Sequence, residues 1–394
     1  MSTSPMDEIL LLTNGPGELS TWVPPVVRRL RERLPKTRLE LFLIADQFAS
    51  GQERHKAREL PLDAIGERRE LLRRLLSRSQ KRKGLVLMLG GAPRDAVLLA
   101  RATGYPAFSY SFNGGNWHPK LCRFFVDSQR TQAEALRRGA DPRRLQVVGN
   151  LVLDAIAEAH LAPYIGADVL LFPGSRPFAA RYLLGFMLRS AEMMAQQKPG
   201  LRFAWVRSRL LPDAVVEEAL AAGGSRVFGG VSARLREGWL VSEHGLEVRV
   251  VDEALRYSAM RQAKLALTIP GTNTLEMAFS GLPAVVLLPL HKPELIPLEG
   301  LLHWVGMLPG GHWLKRQAIL TAEPRIAHLA LPNQWLGERV YPELRGVFGP
   351  ESVAQVGLDL LSPQQQERVR SRLQTLEAWP GAEALVEAIL NHPY

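Results

Sequence analysis

Short apolar runs alternate with helical patterns almost from one end of this 394-residue chain to the other, and that alternation leaves few folds open. "EILLLT" (8–13) precedes the helix pattern "TWVPPVVRRLRERL". "LELFLIA" (39–45) precedes the basic run "ERRELLRRLLSRSQKRK" (67–83), and "GLVLML" (84–89) precedes a helix from about Ala92 to Thr103. "PAFSYS", "CRFFVDS", a helix near 130–138 and "RLQVVG" complete a first series. Strands apolar at nearly every position are buried on both faces. In β-α-β order they predict a parallel sheet with helices on both sides. The periodicity lapses at "LAPYIGA" and restarts with "GADVLLFPGSRP". A helix through "AARYLLGFMLRSAEMMAQ" follows, then the strand "LRFAWV", a helix near 212–222, and the strands "SRVFGG" and "LEVRVV". "AKLALTI" and "PAVVLLP" form a last strand-helix-strand unit, and "PQQQERVRSRLQTLEAWPGAEALVEAIL" reads as one helix broken at Pro380-Gly381. The expectation is an α/β protein of two Rossmann-like, doubly wound parallel-sheet domains, residues 1–158 and 159–379, facing one another across a cleft. The helix at about 380–394 packs back on the first domain. Such sheets bind ligands at the carboxyl ends of their strands.

Charge narrows the partners. The net charge is +10, and only nine of the 49 basic residues are lysines. An arginine excess fits GC-rich codon usage, or a face for phosphorylated substrates or anionic lipid. Nucleic acid is not expected, because no recognisable binding module appears. The single cysteine, Cys122, excludes an intramolecular disulfide. No run reaches the ~20 apolar residues needed to span a bilayer, and the first residues do not read as a signal peptide, so a cytoplasmic protein is expected. There is no D-x-D motif, and His291, His303 and His312 lack ligand spacing. Neither a metal nor a cofactor is expected, and the oligomeric state is not legible.

Three loops sit where such a fold keeps its chemistry. "LLTNGPGELSTW" follows the first strand, with Gly15 and Gly17 allowing close backbone approach and Glu18 opening a helix; it is not G-x-G-x-x-G. "LLFPGSRPF" turns at Pro173-Gly174 and presents Ser175 and Arg176 just before a helix starting at Pro177. "TIPGTNTLEMAFSGLPAVVLLP" (268–289) places Gly271, Thr272, Asn273 and Thr274 at another helix start. One of those side chains suffices as a cap; together they also suit an anion, drawn by free N–H groups and the helix dipole.

In order along the chain, "VVGNLVLDAI" (147–156), "FPGSR" (172–176), "PGTNTLEMAFSGLPAVV" (270–286) and "LPNQWLGERVYPEL" (331–344) resemble a known family. They are similar to the G-H-P-x-x-D-A element, the PGSR loop, the S-G-T-x-T-L-E helix start and the P-N and P-E-L elements of the lipid-A-disaccharide synthase family of GT-B glycosyltransferases. The resemblance implies a GT-B fold and a nucleotide sugar, UDP-linked, on the second domain. Ser175, Arg176, Gly271, Thr272, Asn273 and Thr274 would meet the diphosphate, Glu276 the ribose one turn further on, and Asn333 and Glu343 the donor. It also implies inverting, metal-independent transfer of a hexose or N-acetylhexosamine to a lipid or lipid-linked acceptor at the cytoplasmic membrane face. The acceptor loops are Gly15 with Gly17, and "NGGNWHPK" with Asn113 and Trp117, the latter matching the family's W-R-P segment.

The sequence departs from the family at Asn150-Leu151, where His-Pro is usual, at Pro270, where Ser is usual, and at Arg94, which replaces an acid one place before Asp95. Candidates for the base that deprotonates an acceptor hydroxyl are Glu18, Asp95 and His118, in that order. Two other readings stay open: a UDP-sugar 2-epimerase, and a nucleotide- or lipid-binding relative without catalysis. The basic run has two readings as well. Leu71, Leu72, Leu75 and Leu76 form an apolar stripe among Arg68, Arg69, Arg73, Arg74, Arg78, Lys81, Arg82 and Lys83. It is either a crossover helix with a solvated face or a surface that docks on anionic lipid.

Overall fold

The computed structural model describes residues 6–44, 51–76, 83–159, 161–162, 165–293, 316–317, 319–321 and 323–392. Of the residues singled out above, Arg78, Lys81, Arg82, His303 and His312 lie outside them. The chain divides into two compact units, Met1–Glu158 with Glu377–Tyr394, and Ala159–Leu376.

The first unit carries seven described strands: β1 (Glu8–Thr13), β2 (Arg38–Leu43), β3 (Ala64–Gly66), β4 (Gly84–Leu89), β5 (Ala107–Ser111), β6 (Arg123–Val126) and β7 (Leu145–Val147). They pair in the order β3-β2-β1-β4-β5-β6-β7, every pairing parallel. The central strands β1 and β4 are buried at every position, as their unbroken apolar runs require. The one charge among them, Glu8, accepts a 2.6 Å hydrogen bond from the Tyr105 hydroxyl and is paired with Arg74. Before residue 159 the described helices of this unit are α1 (Pro16–Thr21), α2 (Val23–Arg33), α3 (Glu53–Ala57), α4 (Arg68–Leu76), α5 (Pro93–Thr103), α6 (Gln129–Arg137) and α7 (Leu151–Ala157). Pro16 and Pro93 occupy first helical positions, where a missing N–H costs nothing. The short elements α3 and β3 were not expected from the periodicity; neither is long enough to show one.

The second unit carries β8 (Val169–Phe172), β9 (Phe203–Arg207), β10 (Ala233–Arg236), β11 (Trp239–Ser242), β12 (Glu247–Asp252), β13 (Leu265–Thr268), β14 (Ala284–Pro289) and β15 (Glu343–Gly346). Its described helices are α8 (Pro177–Gln197), α9 (Asp213–Leu220), α10 (Arg256–Gln262), α11 (Asn273–Phe279), α12 (Leu331–Leu336), α13 (Pro350–Leu360) and α14 (Pro363–Leu373). The strand order is β10-β11-β12-β9-β8-β13-β14-β15. From β12 to β15 it is parallel, whereas β10–β11 and β11–β12 are antiparallel, so the sheet is mixed. "SRVFGG" is not a strand: Ser225–Phe228 forms a single 3₁₀ turn. A Cβ on Gly230 would lie 2.6 Å from the Ser225 side chain and 2.8 Å from the Phe186 nitrogen, so the glycine serves a close corner against α8. The strand material comes later, in the β10–β11 hairpin, whose two turn residues both have positive φ (Glu237 47°, Gly238 83°).

The C-terminal helix also breaks differently from expectation. α14 stops at Leu373 and α15 (Ala382–Leu390) begins nine residues on, so Pro380-Gly381 ends a non-helical stretch rather than kinking one helix. α15 packs against α2 of the first unit. The incoming segment is held by "GNLVLDA": the Asn150 N–H donates to the Trp379 carbonyl at 2.7 Å, and the Asp154 carboxylate accepts from the N–H groups of Gly381 (2.6 Å) and Ala382 (3.1 Å). Gly149 adopts φ +113°, and a Cβ there would meet the Trp379 and Pro380 carbonyl oxygens at 2.7 Å. One motif that carried the family resemblance is thus the clasp that returns the chain to its first unit.

Candidate functional site

Strands β8 and β13 are neighbours in the second sheet, so the loops that leave their carboxyl ends are neighbours too. Gly174, at φ +102°, lies against Ile269: a Cβ there would be 2.6 Å from the isoleucine Cδ1. This contact brings Ser175 and Arg176, at the start of the 21-residue helix α8, beside the loop that opens α11. Not all of that loop is available to a ligand. The Thr274 hydroxyl, fully buried, donates to the Gly271 carbonyl at 2.7 Å and accepts from the Leu331 N–H at 3.2 Å. The Asn273 amide donates to Thr268 Oγ1 at 2.5 Å. Both shape the loop from inside, while Gly271 is exposed and Thr272, the N-cap, makes no side-chain capping bond. Gly271, Thr272, Ser175 and Arg176 therefore form the part of the predicted diphosphate set that an anion can reach.

Glu276 sits one turn into α11, buried and paired with Arg256 at 2.8 Å. Arg256 was not legible as a site residue. It opens α10, donates to the Tyr257 hydroxyl at 2.7 Å, and its guanidinium lies 4.2 Å from the Tyr257 ring centroid. Burial alone would lower the Arg256 pKa, but Tyr257, Glu276 and Glu253 outweigh it and raise it, so the cation is permanent. Glu253 also accepts from the Arg209 N–H (2.8 Å) and the Ser208 hydroxyl (3.2 Å), which ties the end of β9 into the same network. Only the lone arginine after "VVDEAL" hinted at this, since buried ion pairs leave no periodic trace.

Asn333 and Glu343 do not present themselves to a ligand as the resemblance implied. The fully buried Asn333 donates to the Tyr341 carbonyl (2.8 Å) and Glu343 Oε1 (2.9 Å) and accepts from the Tyr341 N–H (2.8 Å). Both amide hydrogens are used. Burial would raise the Glu343 carboxyl, but the Ala330 and Leu329 N–H groups, Arg345 and Asn333 hold it below the usual range. The pair frames the α12–β15 connection.

In the first unit the candidate bases follow three adjacent strands. Glu18 follows β1, Asp95 follows β4, and Asn113, Trp117 and His118 follow β5. The Glu18 side chain lies across two glycines: a Cβ on Gly15 would come within 1.9 Å of its carboxylate, and one on Gly90 within 2.6 Å of its Cγ. Gly17 lies inside α1 rather than in an open loop. Half-buried Asp95 has its pKa raised by desolvation, against an opposing pull from Arg68, which suits a group that must take a proton. His118 is less suited, because its Nδ1 accepts from the Lys120 N–H at 3.2 Å. A neutral ring then carries its proton on Nε2 and offers no free lone pair. Asn113 caps the turn Gly114–Asn116 by accepting from Gly115 N–H at 2.8 Å, and Trp117 packs on Phe124 with ring centroids 6.2 Å apart.

Deeper at the same strand ends lies a polar group not anticipated from the sequence. Asp127, directly after β6, is 1% exposed; its Oδ1 accepts from the Thr131 hydroxyl at 2.6 Å, and its Oδ2 has no partner among the described residues. Burial raises its pKa. The signal was present in "FFVDS", an acid set at the carboxyl end of a buried strand.

Comparison with known proteins gives the fold its name. No protein-family model matches the chain. A lipid-A-disaccharide synthase of Geobacter metallireducens is 28% identical over 205 residues, which are 52% of this chain and 42% of that protein. The match thus spans less than half the length of that relative. The structure of a UDP-GlcNAc 2-epimerase from Neisseria meningitidis bound to UDP-GlcNAc superposes with a TM-score of 0.53 at 12% identity, covering 98% of this chain and 100% of that one. The glycotransferase of kitacinnamycin superposes with a TM-score of 0.52 at 13% identity, covering 98% and 99%. The chain has a GT-B fold. At these identities the structural likeness is one of fold alone.

Proposed function

We propose that this chain is a glycosyltransferase that moves a hexose or N-acetylhexosamine from a UDP-linked sugar to a lipid or lipid-linked acceptor at the cytoplasmic face of a membrane. The observation that carries this reading is the contact of the β8 and β13 loops, which sets Ser175 and Arg176 at the start of α8 beside Gly271 and Thr272. The likeness to a lipid-A-disaccharide synthase supports the choice of transfer over other chemistry on this fold. Glu18, or Asp95 in its place, removes the proton from an acceptor hydroxyl. The oxygen attacks the anomeric carbon from the face opposite the diphosphate, the C–O bond to UDP breaks, and configuration inverts. Arg176 and the N–H groups opening α8 take up the charge that develops on the leaving diphosphate. No metal is invoked, so turnover survives a chelator.

The acceptor side rests on α4. Leu71 faces the core, whereas Leu72 and Leu76 are exposed beside Arg68, Arg69 and Arg73; on the neighbouring helix α5, Leu98, Arg94 and Arg101 are exposed as well. Such a mixture suits an anionic lipid surface. Arg74 does not belong to it, because it is paired with the buried Glu8. The informative variant is therefore R68Q/R69Q/R73Q. The deciding experiment supplies UDP-, GDP- and ADP-sugars with and without a bacterial lipid extract, in EDTA. Consumption of the UDP-sugar only with lipid, and label appearing in the lipid, supports transfer. Release of the free 2-epimer, or binding with no turnover, overturns it.

A further inference from the structure

The β10–β11 hairpin is an antiparallel addition to an otherwise parallel sheet, and its outer face has a composition the transfer reading does not use. The register sets Trp239 opposite Arg236 on β10 and opposite Arg249 on β12. Paired residues share a face, so the indole stands between two guanidinium-bearing side chains, with Arg234 two residues along on the same side. Trp239 is 43% exposed, whereas Leu235 lies on the opposite face, across from the buried Leu240. Arg249 donates to the Ile165 carbonyl at 2.6 Å, which anchors it to the body of the unit. Arg234 and Arg236 have no carboxylate within 4.0 Å among the described residues. Arg181, Arg189, Arg202, Arg207, Arg209 and Arg345 of the same unit are, by contrast, paired.

Charges on an edge strand ordinarily guard it against pairing with another chain, and β10 is an edge. That role explains the arginines and leaves the exposed indole unexplained, since apolar area at an edge works against it. A ring with a polar N–H and guanidinium groups that make no ion pair among the described residues, on one face of the hairpin, match the headgroup region of an anionic bilayer. A nucleic-acid platform would need several rings in series to stack successive bases, and this face has one.

We propose that the β10–β11 hairpin, through Trp239, Arg234 and Arg236, is a docking site for anionic phospholipid on the second unit. It needs no catalysis and does not depend on the transfer reading.

The test is co-sedimentation of the full chain with vesicles of phosphatidylglycerol and phosphatidylcholine at low salt, comparing the parent with R234Q/R236Q and with W239A. Two basic residues near the surface account for about a thirtyfold loss of partitioning in the arginine variant. W239A also loses binding, neutral phosphatidylcholine vesicles bind parent and variants equally weakly, and UDP stabilises all three alike. R68Q/R69Q/R73Q, measured alongside, reports on α4 separately, so failure of one surface is distinguishable from failure of the other. Parent-like partitioning of both hairpin variants overturns the proposal. So does a loss confined to a single-stranded oligonucleotide, which would make the face a nucleic-acid contact instead.

Discussion

Replacing Arg256 with methionine tests whether the second unit's site is held by a buried charge pair. The side chains of Arg256 and Glu276 are 13% and 7% exposed, and their 2.8 Å contact leaves Glu276 without an equivalent cation when the guanidinium is removed. Removing one partner of such a pair costs about 3–5 kcal/mol, because the remaining charge is stranded away from water. For a unit of this size each kcal/mol moves the melting temperature by about 2–4 °C, so R256M should melt roughly 10 °C lower. The companion variant E276Q removes the stranded charge, and R256M/E276Q should recover more than half the loss. That non-additivity distinguishes a coupled pair from two separate packing contributions. Urea unfolding of the parent, both single variants and the double variant completes the cycle, with UDP titration on each folded variant. UDP should weaken in E276Q more than pyrophosphate does, since the partner proposed for Glu276 is the ribose. A loss below about 1 kcal/mol in R256M, or a double variant no better than the sum of its parts, would refute the reasoning.

Arg176→Ala and Thr272→Val should each weaken UDP binding by calorimetry while leaving the circular dichroism spectrum unchanged; unaltered affinity in both removes the diphosphate assignment. Asp154→Ala strands the N–H groups of Gly381 and Ala382 and should cost about 2–4 kcal/mol, with proteolysis opening the 374–381 stretch first. Asp154→Asn keeps an acceptor oxygen and should cost less, so equal losses would deny the clasp. Burial raises the folded pKa of Asp127, so its contribution to stability is fully present below the unfolded value of about 3.9 and is lost as pH rises through the raised folded value. Asp127→Asn should flatten the decline in stability over that window without abolishing it, because Asp95 and Asp154 shift in the same direction. An unchanged pH profile in urea unfolding would count against it.

How much of this was legible in the sequence depended on the range over which each interaction acts. The strands β1, β4, β8 and β13 announced themselves, because a strand buried on both faces must be apolar at nearly every position and the chain can satisfy that locally. The β-α order then dictated parallel sheets, and glycine or proline punctuation after β1, β8 and β13 marked the loops that could hold a ligand. Tertiary contacts decided the rest. "SRVFGG" has strand composition, yet Gly230 is needed where the backbone meets Ser225 and α8, a constraint no local pattern records. Asn333 and Glu343 looked like ligand contacts and are spent on Tyr341, Ala330 and Leu329, because a buried polar group must find its partners wherever the fold brings them. Arg256 lies twenty residues before Glu276, Asp154 lies 227 before Gly381, and both pairs form only once sheets and helices are stacked. Local free energies chose the elements and their order; partners far apart in sequence, joined by burial, chose which side chains remain for a ligand.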